Sequence, residues 1–318
     1  MSGVSTYPFT KWVGSGNDFV VVDAVRRPWV ALRRRWPAVS RMLCDRHAGV
    51  GADGLLVLER SKAADARMRV FNPDGSEAEM CGNGARCVAR YVSERGRANG
   101  RPVTIETRAG ILSARVRRGR VAMRMADPTG LRLNATVQVE GRSLTLSQVN
   151  TGVPHVVVPV AAIDQVAVAT LGRAIRAHRA FAPDGTNVNF MQPDPSRPGR
   201  IRIRTYERGV EGETLACGTG AVACAIIAGL SRAPSSRAAS APGALAPHRV
   251  EVQVHSGELL TVSFRAARRP PQPMHGYGGR PSGAQVTDVV LEGSAQRVFE
   301  GAIRWPVGPR QVGGSWRR

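Results

Sequence analysis

Two short stretches carry one pattern. Met80–Tyr91 reads MCGNGARCVARY and Ala216–Ala225 reads ACGTGAVACA. Each places a cysteine before Gly-X-Gly and then opens an apolar helix with a second cysteine further along. The glycines suit a tight turn and a close backbone approach to a ligand, so Cys81 and Cys217 are each expected at a helix N-terminus. There the unpaired N–H groups and the helix dipole favour a thiolate, which predicts thiol pKa values below the ordinary value of about 8.5. The same N–H groups, at Gly82 and Asn83 and at Gly218 and Thr219, offer a site for a carboxylate. Cys87 and Cys224, inside the helices, read as small buried residues.

Two thiols facing one carbon can invert a stereocentre. One thiolate removes the proton from one face, the thiol on the other returns a different proton, and the roles swap with direction. The carbanion formed beside a carboxylate needs donors fixed where its charge develops. Other chemistries fit less well. The spacing in CGNGARC is not that of a zinc site, and neither glycine turn is followed by the Lys and Ser or Thr of a phosphate-binding loop. Buried inert thiols and a thiol redox or binding protein remain competing readings of the same residues.

The flanking sequence supplies the elements that would hold these turns. YPFTKWVGSGNDFVVVDA reads as strand, glycine turn and strand. WPAVSRMLCDRHAGVGADGLLVLERS reads as helix, loop and buried strand. ARMRVFNPDGSEAEM is a strand ending in a strong turn that delivers the chain to Cys81, and RPVTIETRAGILSARVRRGRVAMRMA is an antiparallel meander. A similar order follows: strands around GVPH, a helix in QVAVATLGRAIRAH, then the strands GTNVNFMQ and RIRIRTYERG leading to Cys217. Two halves of one design are the simplest summary. AVACAIIAGL is apolar nearly all round, so its helix should lie at the centre of its half. The strands of VTDVVLEGSAQRVFEGAIRW close the chain, the last one suited to pair back onto the first half.

The 318 residues, 42% of them hydrophobic, suffice for two ordinary domains. The boundaries expected are 1–127 for the half with Cys81, 128–294 for the half with Cys217, and 295–318 for the returning strand and a frayed tail. Segments near 231–249 and 266–284, rich in Pro, Ser, Ala, Gly and Arg, read as inserted surface loops. No apolar run of membrane-spanning length and no signal-peptide pattern is seen, and five cysteines are an odd number. A cytoplasmic protein with free thiols and no membrane partner is therefore expected. The net charge of +21 would attract nucleic acid if it were concentrated. It is instead scattered arginine, without any helix-turn-helix, zinc-finger or aromatic RNA-binding pattern, so no nucleic-acid partner is expected.

The ordered set GSGNDFVVVD, DRHAGVGADG, FNPDGSEAEMCGNGARC, TGVPH, GTNVNFMQ, YERGVEGETLACGTGA and LEGSAQRVFEG resembles the diaminopimelate epimerase family over most of the chain. The resemblance implies an α/β fold of two pseudo-symmetric domains. Each is a mostly antiparallel sheet wrapped around a central helix, with the active site in the cleft between them. It implies Cys81 and Cys217 as acid and base, Cys217 being the base from LL to meso, with no cofactor and no metal. It implies that His155 and Glu207 tune the thiols. Substrate would be bound by Asn17, Asn72, Gly82, Asn83, Asn187, Glu207, Arg208, Gly218 and Thr219. The substrate so implied is a small amino acid, LL- or meso-diaminopimelate, of lysine and peptidoglycan precursor biosynthesis; a homodimer is compatible with the sequence, which does not fix the oligomeric state. Read as residues alone, Asn17, Asn72 and Asn187 suit turns, adjacent Glu207 and Arg208 would point to opposite faces of a strand, and His155 suits a loop. Two positions depart from the family pattern: Val153 stands where many members have asparagine, and Gly54 where some have a substrate-contacting glutamine. A racemase of the same fold with another amino-acid substrate is the alternative these positions raise.

Overall fold

A computed structural model describes residues 4–25, 28–96, 100–231, 245–268, 280–281 and 283–306. The chain forms two compact units, one of Met1–Val121 with Ser294–Arg318 and the other of Ala122–Gly293.

In the first unit, β1 (Val4–Gly14) and β2 (Asn17–Asp23) form a hairpin. Ser15 and Gly16 both take positive φ, at 56° and 87°, as a two-residue hairpin turn of matching twist requires. The chain then crosses through α1 (Trp36–Cys44) to β3 (Gly54–Glu59), which runs parallel to β2. Next come β4 (Ala66–Phe71), antiparallel to β3, and β5 (Glu77–Ala78), folded back on β4. From there the chain reaches Cys81 and α2 (Gly82–Glu94), then β6 (Val103–Thr107), parallel to β4, and β7 (Gly110–Arg117). The alternation of a strand gives each sheet face its own partner. Leu55 and Val57 of β3 join Trp29, Trp36 and Leu43, while Leu56 meets α2 at Gly84.

The second unit repeats this order. After β8 (Arg120–Arg124) come the hairpin β9 (Thr129–Val139) and β10 (Arg142–Asn150), then β11 (Pro154–Pro159). Helix α3 (Val168–Arg176) carries the chain over to β12 (Asn187–Pro193), parallel to β11. β13 (Arg200–Glu207) and β14 (Gly212–Thr214) follow antiparallel and lead to Cys217 and α4 (Gly218–Ser231). β15 (Ala246–Gln253) then runs parallel to β13. Parallel, antiparallel, antiparallel, cysteine, helix, parallel is thus written twice. β16 (Leu259–Arg268), β17 (Arg280–Pro281) and β18 (Ala284–Ser294) complete the second unit, and β19 (Gln296–Pro306) lies antiparallel along β1 in the first.

Every residue of α4 from Gly220 to Gly229 is buried, as its all-round apolar sequence predicts, and strands β10 to β13, β15 and β16 pack about it. Along β13, Arg200, Arg202 and Arg204 pair with Glu251, Asp164 and Glu213, so part of the arginine excess is neutralised on one strand. The inserted segments expected near 231–249 and 266–284 fall largely outside the described residues, as does the tail beyond 306. Their described margins are strand rather than loop: Ala246–Arg249 pair with Ser263–Ala266 across β15 and β16. No described helix is long and apolar enough to cross a membrane.

Candidate functional site

The two cysteine turns have nearly the same backbone geometry. Cys81 caps α2 in an extended conformation (φ −138°, ψ 115°). The Gly84 N–H donates to its Sγ at 3.4 Å and the Ala85 N–H to its carbonyl at 2.8 Å. At Cys217 the Gly220 N–H donates to Sγ at 3.4 Å and the Ala221 N–H to the carbonyl at 2.9 Å. In both, the N–H groups of the two intervening residues, Gly82 and Asn83 or Gly218 and Thr219, belong to the first helical turn, where no intrahelical acceptor exists for them. None of the four turn glycines takes a positive φ, and at Gly84 and Gly220 the role is space rather than an unusual backbone angle. A Cβ on Gly84 would sit 2.8 Å from Leu56 Cδ2, and one on Gly220 would overlap Asn189 Oδ1.

Electrostatics at Cys217 run opposite to the expectation from the helix terminus. The side chain is 5% exposed, and burial, reinforced by the charge of Glu207, pushes the thiol up to about 12. Hydrogen bonds from Thr219 and Gly220 pull the other way and lose, because the desolvation of a thiolate outweighs two or three donors. Glu207 is itself raised above the usual carboxylate range by burial, offset in part by the Thr214 hydroxyl. Cys224, wholly buried, is raised well above its ordinary value. All five cysteines are free thiols.

Around Cys81 the expected residues assemble in part. Asn83 Nδ2 donates to Asn17 Oδ1 at 2.7 Å, and Asn17 Nδ2 to Asp53 Oδ2 at 3.1 Å. Arg86, fully buried, donates to Asn83 Oδ1 at 2.9 Å and also to the Ser15 hydroxyl. Behind Asn17, Arg46 bridges Asp18 and Asp53; although burial alone would raise it, hydrogen bonds from Arg46 and Lys11 hold Asp18 down at about 2. Asn72 stands apart. It is exposed in the turn after β4, and its amide donates to the Ser76 hydroxyl.

Around Cys217 the assembly is denser. His155 lies in β11 rather than in a loop, 1% exposed, and pairs in register with Asn187 of β12. Asn187 Nδ2 donates to the Pro154 carbonyl at 3.0 Å and its Oδ1 accepts from the Arg208 N–H at 2.9 Å. Glu207 ends β13, and Arg208 begins the turn, with its guanidinium on the Asp184 carbonyl at 3.1 Å. Thr219 is held by the Thr151 hydroxyl on its carbonyl at 3.0 Å and lies 3.5 Å from Cys217 Sγ. Among the described residues no three His, Cys, Asp or Glu side chains group as metal ligands.

Sequence reading missed the supports. Asn189 is fully buried two residues after Asn187, and strand alternation in NVNF was the signal that both share a face. Arg86 follows Asn83 by one helical turn, which was the corresponding signal in α2. The two departures resolve differently. Gly54 opens β3 with its missing Cβ 3.2 Å from the Phe71 carbonyl oxygen and 3.5 Å from the Phe19 ring, so that ring occupies the space. Val153 is half-buried, its carbonyl accepting from the Thr151 N–H at 3.2 Å.

Residues 9–130 and 147–263 match the family model described as Diaminopimelate epimerase. The diaminopimelate epimerase of Aquifex aeolicus is 41% identical over 302 residues, covering 93% of this chain and 97% of the relative. That of Archaeoglobus fulgidus is 47% identical over 232 residues, covering 69% and 80%. Among solved structures, a phenazine biosynthesis protein of the PhzF family from Bacillus anthracis superposes with a TM-score of 0.61 over 94% of this chain and 99% of that one, at 19% identity.

Proposed function

The chain belongs to the diaminopimelate epimerase family, and from that premise we propose that it interconverts LL- and meso-diaminopimelate with Cys81 and Cys217 as the proton-transfer pair. The observation that carries the assignment of residues is the twin turn: two thiols, each at the start of a helix, each accepting the third N–H after it at 3.4 Å. In the reaction one sulfur, as thiolate, takes the α-proton and becomes a thiol. The other gives its proton to the opposite face of the carbanion and becomes a thiolate, so charge and protons balance over one turnover. Helix-start N–H groups at Gly82 and Asn83, and at Gly218 and Thr219, are the donors for the substrate carboxylate, whose α-carbon gathers negative charge.

Resting protonation assigns a first direction to Cys217. Buried beside Glu207, Cys217 begins as a thiol, so it is first competent as the acid, the role it has from meso to LL. To act as base from LL to meso it must first give up that proton. Asn17, Asn187 and Arg208 suit the polar ends of a diamino diacid, an arginine and amides being the groups that recognise carboxylate and ammonium together. Asn72, exposed and engaged with Ser76, is the weakest member of the set. Cytoplasmic location and a homodimer belong to the same proposal.

The test is α-proton exchange in deuterium oxide, followed by NMR on reduced protein without added cofactor. LL-diaminopimelate should gain deuterium at one α-carbon and yield the meso isomer. Retained epimerisation in the Cys81→Ala, Cys217→Ala double variant would overturn the mechanism. A second reading is favoured by Val153 and Gly54, which offer no side-chain amide: a racemase for another amino acid. Exchange into lysine, histidine or proline but not diaminopimelate would favour it.

A further inference from the structure

The hydrogen-bond chain behind His155 fixes which of its ring nitrogens carries the proton. The Val156 carbonyl can only accept, so the atom of the Asn189 amide 2.9 Å from it must be the NH2 group. The Thr205 hydroxyl donates to the other end of the same amide, Oδ1, at 3.0 Å, which agrees with that orientation. The second proton of the Asn189 NH2 then points to His155 Nδ1 at 3.1 Å. A ring nitrogen that meets an N–H donor must be the unprotonated, accepting one. Nε2 therefore bears the hydrogen, and it is buried with no hydrogen-bond partner among the described residues.

We propose that Asn189 is a positioning residue that holds His155 neutral with its proton on Nε2, so that this ring meets the substrate or a thiol as a hydrogen-bond donor. The orphan Nε2–H is the second observation: a buried donor without a partner is a group kept for something that binds. Two further features agree. Burial and the charge of Arg208, the cation whose field reaches the ring, push His155 down to about 3, so an imidazolium does not form near neutrality. Gly220 lacks the Cβ that would overlap Asn189 Oδ1, so the first turn of the Cys217 helix closes directly on this amide. Asn189 thus binds the histidine strand to the turn that carries the thiol. The role given to His155 rests on the two-thiol reading, whereas its tautomer does not.

The experiment is long-range 1H–15N correlation NMR on uniformly 15N-labelled, substrate-free protein, with the His155 signals identified by their loss in His155→Gln. The expected pattern is a protonated Nε2 and a bare Nδ1, unchanged from pH 8 to pH 5. In Asn189→Asp the carboxylate can only accept, so the pattern should move to a protonated Nδ1 or to imidazolium, with kcat falling roughly 10- to 100-fold as for other partners that orient a functional histidine. A protonated Nδ1 in the unaltered protein, titration of His155 near pH 6.5, or an unmoved pattern in Asn189→Asp would each overturn the assignment. Should Asn189→Asp fail to fold, the unaltered protein decides alone. Absence of epimerase activity would sink the two-thiol reading and leave the tautomer assignment standing.

Discussion

The Cys81 and Cys217 turns share backbone geometry to within about 0.1 Å in their capping hydrogen bonds, yet their surroundings differ. Gly84, the second glycine of the Cys81 turn, lies against the methyl groups of Leu56, and the cysteine is half-buried. Gly220, the second glycine of the Cys217 turn, lies against an amide that is itself bonded to a histidine and a threonine, and that cysteine is buried. One local motif can therefore place two thiols in unlike surroundings. At Cys217 the helix terminus sets where the sulfur points, and the packing around it keeps the proton on the sulfur.

The largest expected effect erases the comparison. Cys81→Ala and Cys217→Ala should each lower epimerase kcat by about 10²- to 10⁴-fold, the usual worth of a placed acid or base, measured by meso-isomer formation from the LL substrate. Equal loss in both would mean both thiols serve every turnover. Full activity in either would break the pairing.

Next in size is the stability consequence of the buried thiol. Burial pushes the folded Cys217 thiol up to about 12, above the ordinary value of about 8.5. Between those values the unfolded chain has lost a proton that the folded protein keeps, so stability falls as pH rises through that window. Urea unfolding of Cys217→Ala against the unaltered protein should show a shallower decline, by up to about 1.4 kcal/mol per pH unit. Parallel pH profiles would mean that Cys217 is not desolvated.

The glycines sharpen the contrast further. Gly220→Ala drives a methyl group into a bonded amide and should cost about 1–3 kcal/mol in urea unfolding. Gly84→Ala meets the end of a leucine side chain that can turn aside, and should cost less. The reverse order would place the tighter packing at Cys81. The smallest effect belongs to Glu207→Gln. Removing that carboxylate should lower the Cys217 pKa, so alkylation of Cys217 at pH 9, followed by mass spectrometry, should quicken in the variant. A rate unchanged by the substitution would leave burial as the sole cause.

What could be read in the sequence was local. A cysteine ahead of Gly-X-Gly, an apolar run behind it and a turn before it specify a capped helix, and both helices begin where that pattern puts them. The sign of the Cys217 shift was not legible, because desolvation depends on what the fold packs around the sulfur, Glu207 of β13 included, as much as on the helix that follows. Asn189 shows the same limit. Its alternation with Asn187 marks a face, but only the pairing of β11 with β12 and of β12 with β13 brings His155 and Thr205 to it. Arg86 likewise reads as the polar side of an amphipathic helix, until the β1–β2 turn places Ser15 against it.

The pairing of β19 with β1 has a consequence for how the protein is made. Val4 lies opposite Pro306, so β1 waits for β19. During synthesis the unit of Ala122–Gly293 has all its strands available before the ribosome has released the segment that completes the unit of Cys81. The half made first is thus finished last. Long-range closure of this kind is slow and leaves a strand edge unpaired in the interval. An arrest just before residue 296 would leave β1 without that partner after every residue of the Ala122–Gly293 unit has been made.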